Sequence, residues 1–74
     1  MKYGIWIESP GKWTGWFSMA LGDRRHPMAF DEAEAHERAS MLKVSGLYPG
    51  VVEVRPNPPP EMPLDEAEWK KAVA

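Results

Sequence analysis

The side chains in this sequence that we consider for catalytic chemistry are two histidines together with the serine hydroxyls and the carboxylates, and its 74 residues include no cysteine. His26 lies in an Arg-Arg-His-Pro segment, and His36 lies among glutamates on a predicted helix. The sequence contains neither a His-Glu-x-x-His metal motif nor a glycine loop of the phosphate-binding type. No recognisable nucleophile context surrounds the serines, which are Ser9, Ser18, Ser40 and Ser45. We therefore predict that the protein is not an enzyme and uses no cofactor.

One pair of side chains has the spacing of helical metal ligands. Glu32 and His36 are four residues apart, which places them on the same face of a helix. A solvent-exposed helix face explains these residues and their acidic neighbours more simply, with Asp31 as the helix cap. We predict no metal site.

The four tryptophans are the most informative residue type in the chain. Strand alternation places Trp6 and Trp16 on neighbouring strands, on the sheet face opposite the helix, and Trp13 at the end of their hairpin. Exposed aromatic patches mark interfaces, since a covered tryptophan buries on the order of 200 Å². We predict that this face binds a protein partner or a second copy of the chain. Cover by the chain's own Pro-rich segment and Trp69, and contact with nucleic acid, are the alternatives.

Basic residues near the tryptophans form the candidate nucleic-acid site. Lys12 and Trp13 combine with the basic trio Arg24-Arg25-His26, and aromatic rings among cations stack bases while arginine contacts phosphates. Residues 1–27 carry four basic and two acidic side chains, whereas the remainder carries five basic and nine acidic ones. The net charge of −2 and the isoelectric point of about 5.6 disfavour binding to a long polyanion. A solvated turn is the simpler interpretation of the arginines.

The elements that position these residues begin with two extended runs. Tyr3, Ile5 and Ile7 alternate with polar residues, and a second run extends to about Leu21 after a Ser-Pro-Gly-Lys turn. The second run is predicted to place Trp16, Ser18 and Ala20 on one face, with Phe17, Met19 and Leu21 on the other. After a Gly22-Asp23 turn, a short third strand is predicted over 27–30.

A helix follows with clear signals at both ends. Asp31 is the predicted N-cap and Glu34 completes a capping box, while Gly46 is the predicted C-cap. The stripe formed by Ala35, Ala39 and Leu42 should pack on the sheet. A further strand over 50–55 turns Val52 and Val54 inward.

The chain therefore predicts an α+β fold, a small antiparallel sheet of order β-β-(β)-α-β with one helix packed on one face. Residues 1–56 form the compact domain, 57–63 a Pro-rich linker of polyproline type, and 64–74 a short C-terminal helix. The helical signals of this last segment cover residues 64–72, and a helix of about nine residues is marginal alone in water. A domain this short buries only about 60% of the surface that its unfolded chain exposes.

Apolar runs in the sequence are too short for membrane insertion. None approaches the roughly 20 residues that a membrane span needs. Residues 1–8 lack the apolar stretch and cleavage site of a signal peptide. We expect a cytoplasmic protein without a membrane partner.

Short motifs along residues 1–56 resemble two groups of proteins. The Pro-Gly-Lys-Trp turn at 10–13, the helix opening at 30–35 and the Val-Glu-Val-Arg-Pro strand at 52–56 resemble short phage and prophage proteins of unknown function. Gly11-Lys12-Trp13, the two arginines and Phe30 are similar to the AP2-like arm-site DNA-binding domains of tyrosine integrases. That second resemblance implies a three-stranded sheet in the DNA major groove, with Trp16, Arg24 and Arg25 facing the DNA.

These observations favour a small non-enzymatic binding module, an accessory protein of a phage or prophage. Its predicted binding residues are Trp6, Trp13, Trp16, Lys12, Arg24 and Arg25. One alternative is a DNA-binding module of the integrase-arm type. The other is an inhibitor of a host defence complex, such as an anti-CRISPR protein, whose acidic helix residues would imitate phosphates.

Overall fold

Antiparallel strands and one helix make up residues 1–63, the part of the chain that this computed structural model describes. The strands are β1 (Tyr3–Ser9), β2 (Trp13–Trp16), β3 (Ser18–Leu21), β4 (Arg24–Pro27), β5 (Val51–Pro56) and β6 (Met62–Pro63), and the helix is α1 (Glu32–Ser45). They form a first sheet of order β2-β1-β5 and a second sheet of order β3-β4-β6. The predicted α+β class is confirmed, while the predicted C-terminal helix lies outside the described residues.

The core lies between the first sheet and α1. Ile5 and Ile7 of the central strand β1 are completely buried, and they stand opposite Val54 and Val52 of β5. Ala35 and Ala39 bring the helix against this face, since a methyl side chain allows close approach. The predicted alternation of β1 and the predicted alanine stripe of the helix are both confirmed.

The helix begins and ends where the sequence predicts. The Asp31 carboxylate accepts a hydrogen bond of 2.8 Å from the Glu34 backbone N–H, and Gly46 adopts the left-handed conformation at the C-cap. The Glu34 carboxylate does not complete a capping box. It lies instead 3.7 Å from the Arg38 guanidinium, one turn further along the helix.

The second extended run is not one strand. It divides at Phe17 into β2 and β3, which belong to different sheets. The Phe17 N–H donates to the Ile5 carbonyl at 2.7 Å, and the Phe17 carbonyl accepts from the Met28 N–H at 2.9 Å. Phe17 thus bonds to the central strand of the first sheet and to the residue that follows β4, and the predicted single run to Leu21 is wrong. Side-chain alternation does not reveal the division, because it records the face of a residue and not the strand with which its backbone pairs.

The third strand lies earlier than predicted. β4 covers Arg24–Pro27, because the two-residue turn at Gly22-Asp23 places Leu21 directly opposite Arg24. The prediction of a strand over 27–30 is therefore wrong, although Phe30 forms an isolated bridge with Tyr3. The basic residues 24–26 lie in a strand and not in a turn, so their side chains alternate between two faces.

Residues 57–63, predicted as a Pro-rich linker, pack against both sheets. The Asn57 N–H donates to the Lys2 carbonyl at 2.9 Å, and Pro58 lies over Gly4 of β1. Met62, which is only 6% exposed, then stands opposite Arg25 in the β4–β6 pairing. This segment therefore connects the outer face of the first sheet to the edge of the second.

Candidate functional site

The six predicted binding residues lie on three different surfaces. Trp6 and Trp16 share the outer face of the first sheet, opposite α1. The side chains of Lys12, Trp13 and Arg25 line a cleft elsewhere on the molecule. Arg24 belongs to neither surface, because it points from β4 in the direction opposite to Arg25.

The first surface is built on a pair of tryptophans. Trp6 of β1 stands directly opposite Trp16 of β2, with ring centroids 5.4 Å apart and ring planes at 87°. This edge-to-face arrangement is one of the two that aromatic pairs prefer, and it stabilises the pair by about 0.5–1.5 kcal/mol beyond area burial. We call the surface formed by Trp6, Trp16, Arg55 and Pro58 the Trp face.

Part of the Trp face is covered by the chain itself. A Cβ atom placed on Gly4 would lie 2.9 Å from the Trp16 ring and 2.9 Å from the Pro58 Cβ. Both side chains therefore rest directly on the glycine backbone. Trp6 and Trp16 remain half-buried rather than fully covered.

Polar groups surround the tryptophan pair. The Trp6 indole N–H donates to the Glu8 carboxylate at 3.0 Å, and the Arg55 guanidinium lies 4.6 Å from the Trp6 ring centroid. Arg55 also forms an ion pair with Glu53, and both side chains are about two-fifths exposed, at 42% and 44%. The result is an aromatic centre with a polar rim.

The second surface is an open cleft of about 280 Å³, which we call the Trp13 cleft. It is lined by Lys12, Trp13, Phe17, Ser18, Arg25 and Tyr48. The Arg25 guanidinium stacks on Trp13 at 4.5 Å from the ring centroid, and the Trp13 indole N–H donates to the Trp16 carbonyl at 3.2 Å. Among the described residues that line it, two are cationic, three are aromatic and none carries a carboxylate.

A buried serine explains how the parts of the Trp13 cleft come together. Ser9 pairs with Trp13 across the first hairpin and is only 1% exposed. Its hydroxyl donates to the Pro49 carbonyl at 2.7 Å, which ties the segment after α1, including Tyr48, to the end of the hairpin. No sequence signal indicates this role, because Ser9 also begins a Ser-Pro-Gly turn.

Ser18, which lines the Trp13 cleft, has an unusual environment. The Ser18 hydroxyl oxygen is buried, and it has no hydrogen-bond partner among residues 1–63. Buried polar atoms are normally hydrogen-bonded, because leaving one unpaired costs about 1–3 kcal/mol. Sequence reasoning placed Ser18 on the same face as Trp16 and assigned it no role.

The titratable residues considered for catalysis are not clustered. Residues 1–63 contain no group of three or more His, Cys, Asp or Glu side chains that could hold a metal ion. The charge of the Glu32 carboxylate raises the pKa of the Tyr3 hydroxyl, and their hydrogen bond adds to this effect. His36 is exposed on α1. No helix within the described part of the chain is long and apolar enough to cross a membrane.

Comparison with protein-family models, with curated proteins and with solved structures found no match for this chain. Function is therefore argued from the geometry of the two surfaces. The Trp face offers a rigid aromatic centre, and the Trp13 cleft offers cations beside aromatic rings.

Proposed function

We propose that this chain is a small binding module without catalytic activity, and that it contacts a protein partner through the Trp face. The observation that supports the proposal most directly is the pair of half-buried rings of Trp6 and Trp16 inside a polar rim. In the phage or prophage setting that the sequence resemblance implies, such a module would act as an accessory protein.

The residue types of the Trp face are those that dominate binding energy at protein interfaces. Tryptophan and arginine are enriched among the residues whose truncation weakens binding most, and these residues occupy the centre of an interface inside a polar rim. Trp6 and Trp16 form such a centre, and the Glu53–Arg55 ion pair lies at its edge.

The face is also held in place before any partner arrives. Trp16 is fixed by Pro58 and Gly4, and Trp6 is fixed by its hydrogen bond to Glu8. Side chains that are already ordered lose little conformational entropy on binding. This preorganisation favours recognition of a partner with a complementary fixed surface.

The charges favour a protein over duplex DNA as the partner. Glu8 and Glu53 border the tryptophan pair, and a phosphate backbone would be repelled by both carboxylates. Trp16, Arg24 and Arg25 were expected together on a DNA-facing side, but Trp16 belongs to the Trp face, Arg25 lines the Trp13 cleft, and Arg24 points from β4 in the direction opposite to Arg25.

The proposal is tested with Trp6→Ala in the full chain. Proteins retained from a lysate by the wild-type chain are purified, and their dissociation constants are measured by calorimetry. Trp6→Ala should raise the Kd about tenfold or more, as expected when a central tryptophan is truncated. If sedimentation shows that the chain dimerises, the partner is a second copy, and the same variant should restore the monomer.

Met41→Ala is the matched control, because Met41 is an exposed apolar residue of α1, outside the Trp face. Circular dichroism establishes that both variants are folded. One result would exclude the Trp face as the interface. In that result a folded Trp6→Ala variant binds the purified partners, or a second copy of itself, as tightly as the wild type does.

A further inference from the structure

We infer that residues 64–74 of this chain dock on one face of the β3–β4 hairpin, in an intramolecular contact that is separate from the Trp face. These residues lie outside the described part of the chain, and they continue directly from β6, an edge strand of the second sheet. Three observations support the inference: the residues that the hairpin exposes, the place where β6 ends, and the sequence of the segment.

The docking surface is one side of the hairpin, which we call the hairpin face. Met19 stands opposite His26 and Leu21 stands opposite Arg24, and residues directly opposite each other in an antiparallel pair share a face. Met19 is 49% exposed and Leu21 is 56% exposed, although both belong to a paired strand. Two large apolar side chains therefore lie open to solvent beside two basic residues.

The end of β6 brings the segment within reach of this face. Pro63 is paired with Arg24, which is in turn paired with Leu21. Neighbouring strands are about 4.8 Å apart, so the backbone at Pro63 lies about 10 Å from the strand that carries Met19 and Leu21. The segment that follows spans about 16 Å as a helix, or up to about 37 Å when extended. It can thus cover the whole hairpin face after a turn back at its start.

The apolar residues of the segment suit the apolar part of the hairpin face. Its sequence predicts a helix capped by Asp65, in which Leu64 and Trp69 occupy the two positions of a hydrophobic staple. A helix this short is marginal alone in water and depends on tertiary packing. A tryptophan buries about 150–250 Å² when it is covered, so contact of Trp69 with Met19 and Leu21 would supply that packing.

The charges of the segment complement those of the hairpin face. Its three acidic residues lie near its start, at positions 65, 66 and 68. β3 and β4 present Arg24 and His26 on the hairpin face and contain no acidic residue, while Asp23 belongs to the turn that joins them. Complementary charges fix which surfaces meet and in which register. They favour residues 64–68 as neighbours of Arg24, the residue beside which the segment begins.

The contact is tested by NMR on the full chain with isotope-labelled methionine and leucine methyl groups. Nuclear Overhauser effects are expected between the Trp69 indole ring and the methyl groups of Met19 and Leu21. In a mixture of labelled and unlabelled chains, an isotope-filtered spectrum records only contacts between two copies, and none should appear there. Effects between two copies, or effects that join Trp69 to Trp16 instead, would overturn the inference.

A second measurement is the rate at which trypsin cleaves after the two lysines of the segment, followed by mass spectrometry. Docking shields these sites, because cleavage requires the segment to open. Leu21→Ala and Arg24→Glu should each raise the rate about tenfold, the change that follows when about 1.4 kcal/mol of docking free energy is lost. Both residues are exposed, so the variants are expected to remain folded, which circular dichroism checks.

Leu47→Ala and Lys43→Glu are the matched controls, because they make the same changes at exposed residues near the end of α1. They should leave the cleavage rate unchanged. Equal rates in all four variants, or the absence of any effect between Trp69 and the hairpin methyl groups, would overturn the inference. The lysate measurement with Trp6→Ala tests a different surface, so the two proposals succeed or fail separately.

Discussion

At the scale of single residues, Gly4 determines how the Trp face is assembled. Its backbone supports the Trp16 ring and Pro58, and a side chain at this position would overlap both. Trp16 can therefore lie beside Trp6 only because β1 has no side chain at Gly4. A glycine inside an alternating strand is a sequence signal for such close approach of another group.

Gly4→Ala tests this dependence. The added Cβ would lie 2.9 Å from two rigid rings, so Trp16 and Pro58 must move. Overpacking of this kind costs about 1–3 kcal/mol, more than the 0.4–1 kcal/mol that Gly→Ala gains by restricting the unfolded chain. We expect a lower free energy of unfolding in urea and stronger acrylamide quenching of tryptophan fluorescence. A variant as stable as the wild type would show that the rings do not rest on Gly4.

The sequence predicted the residue pairs that depend only on strand alternation. Trp6 and Trp16 were expected on one face, and the structure places them in contact. Arg24 and Arg25 were treated as one basic group, because they were assigned to a turn. Their separation follows from the start of β4 at Arg24, which the turn at Gly22-Asp23 sets.

At the scale of elements, β1 and α1 are connected by a polar contact as well as by the core. The Glu32 carboxylate in the first turn of the helix raises the pKa of Tyr3 at the start of β1 above its ordinary value of 10.0. In the unfolded chain this contact is absent and the pKa returns to its ordinary value. The native state therefore holds the Tyr3 proton more tightly than the unfolded state.

This contact predicts a loss of stability at alkaline pH. Stability falls wherever the native state binds more protons than the unfolded state. The stabilisation of the native state that comes from the raised pKa of Tyr3 is thus complete below pH 10.0, and it is lost as the pH rises through the higher native pKa. Glu32→Gln should lower the native pKa of Tyr3, measured by NMR titration, and should reduce the alkaline loss in urea unfolding. Glu34→Gln is the control, and an unchanged Tyr3 titration in Glu32→Gln would contradict the assignment.

The two kinds of element differ in how far the sequence determines them. The helix was predicted to within a residue, because Asp31 and Gly46 act on their own neighbours. The division at Phe17 was missed, because it depends on the Ile5 and Met28 backbones, which are distant in sequence. Local signals fix the ends of a helix, whereas strand pairing is decided by the rest of the molecule.

At the scale of the whole molecule, residues 57–63 hold the two sheets together. Pro58 rests on the first sheet, and Met62 is buried where β6 pairs with β4 of the second. The segment was predicted as a spacer from its prolines, which also suit an edge strand. The local sequence predicts neither the packing of this segment on the first sheet nor its pairing with β4.

Met62→Ala measures the contribution of this segment. Truncation of a buried methionine costs about 2–5 kcal/mol, a large fraction of the stability of a small domain. We expect a fall of about 2 kcal/mol or more in the free energy of unfolding, measured by urea denaturation. Glu61→Ala is the control, since Glu61 is exposed and adjacent. Equal stability of the two variants would show that β6 does not contribute to the core.

The Trp13 cleft could be predicted only in part, because it too is assembled by contacts between segments that are distant in sequence. Lys12 and Trp13 are neighbours and were singled out together, and Arg25 was named as a basic residue nearby in sequence. Ser18 and Tyr48 join them through the division at Phe17 and through the Ser9–Pro49 hydrogen bond. A site assembled by such distant contacts has no spacing that a linear motif can record.

The pairing of β1 with β5 has a consequence for how the protein folds during synthesis. β1 contributes two completely buried core residues, yet one of its two partners is Val51–Pro56, which leaves the ribosome long after it. The β1–β2 hairpin can form early, but its apolar face has no complete cover until residue 56 has emerged. Contacts between segments so distant in sequence slow folding, because the loop must close before the pairing is gained. Until residue 56 has emerged, the nascent chain thus exposes Ile5 and Ile7, and exposed apolar surface of this kind favours aggregation of folding intermediates.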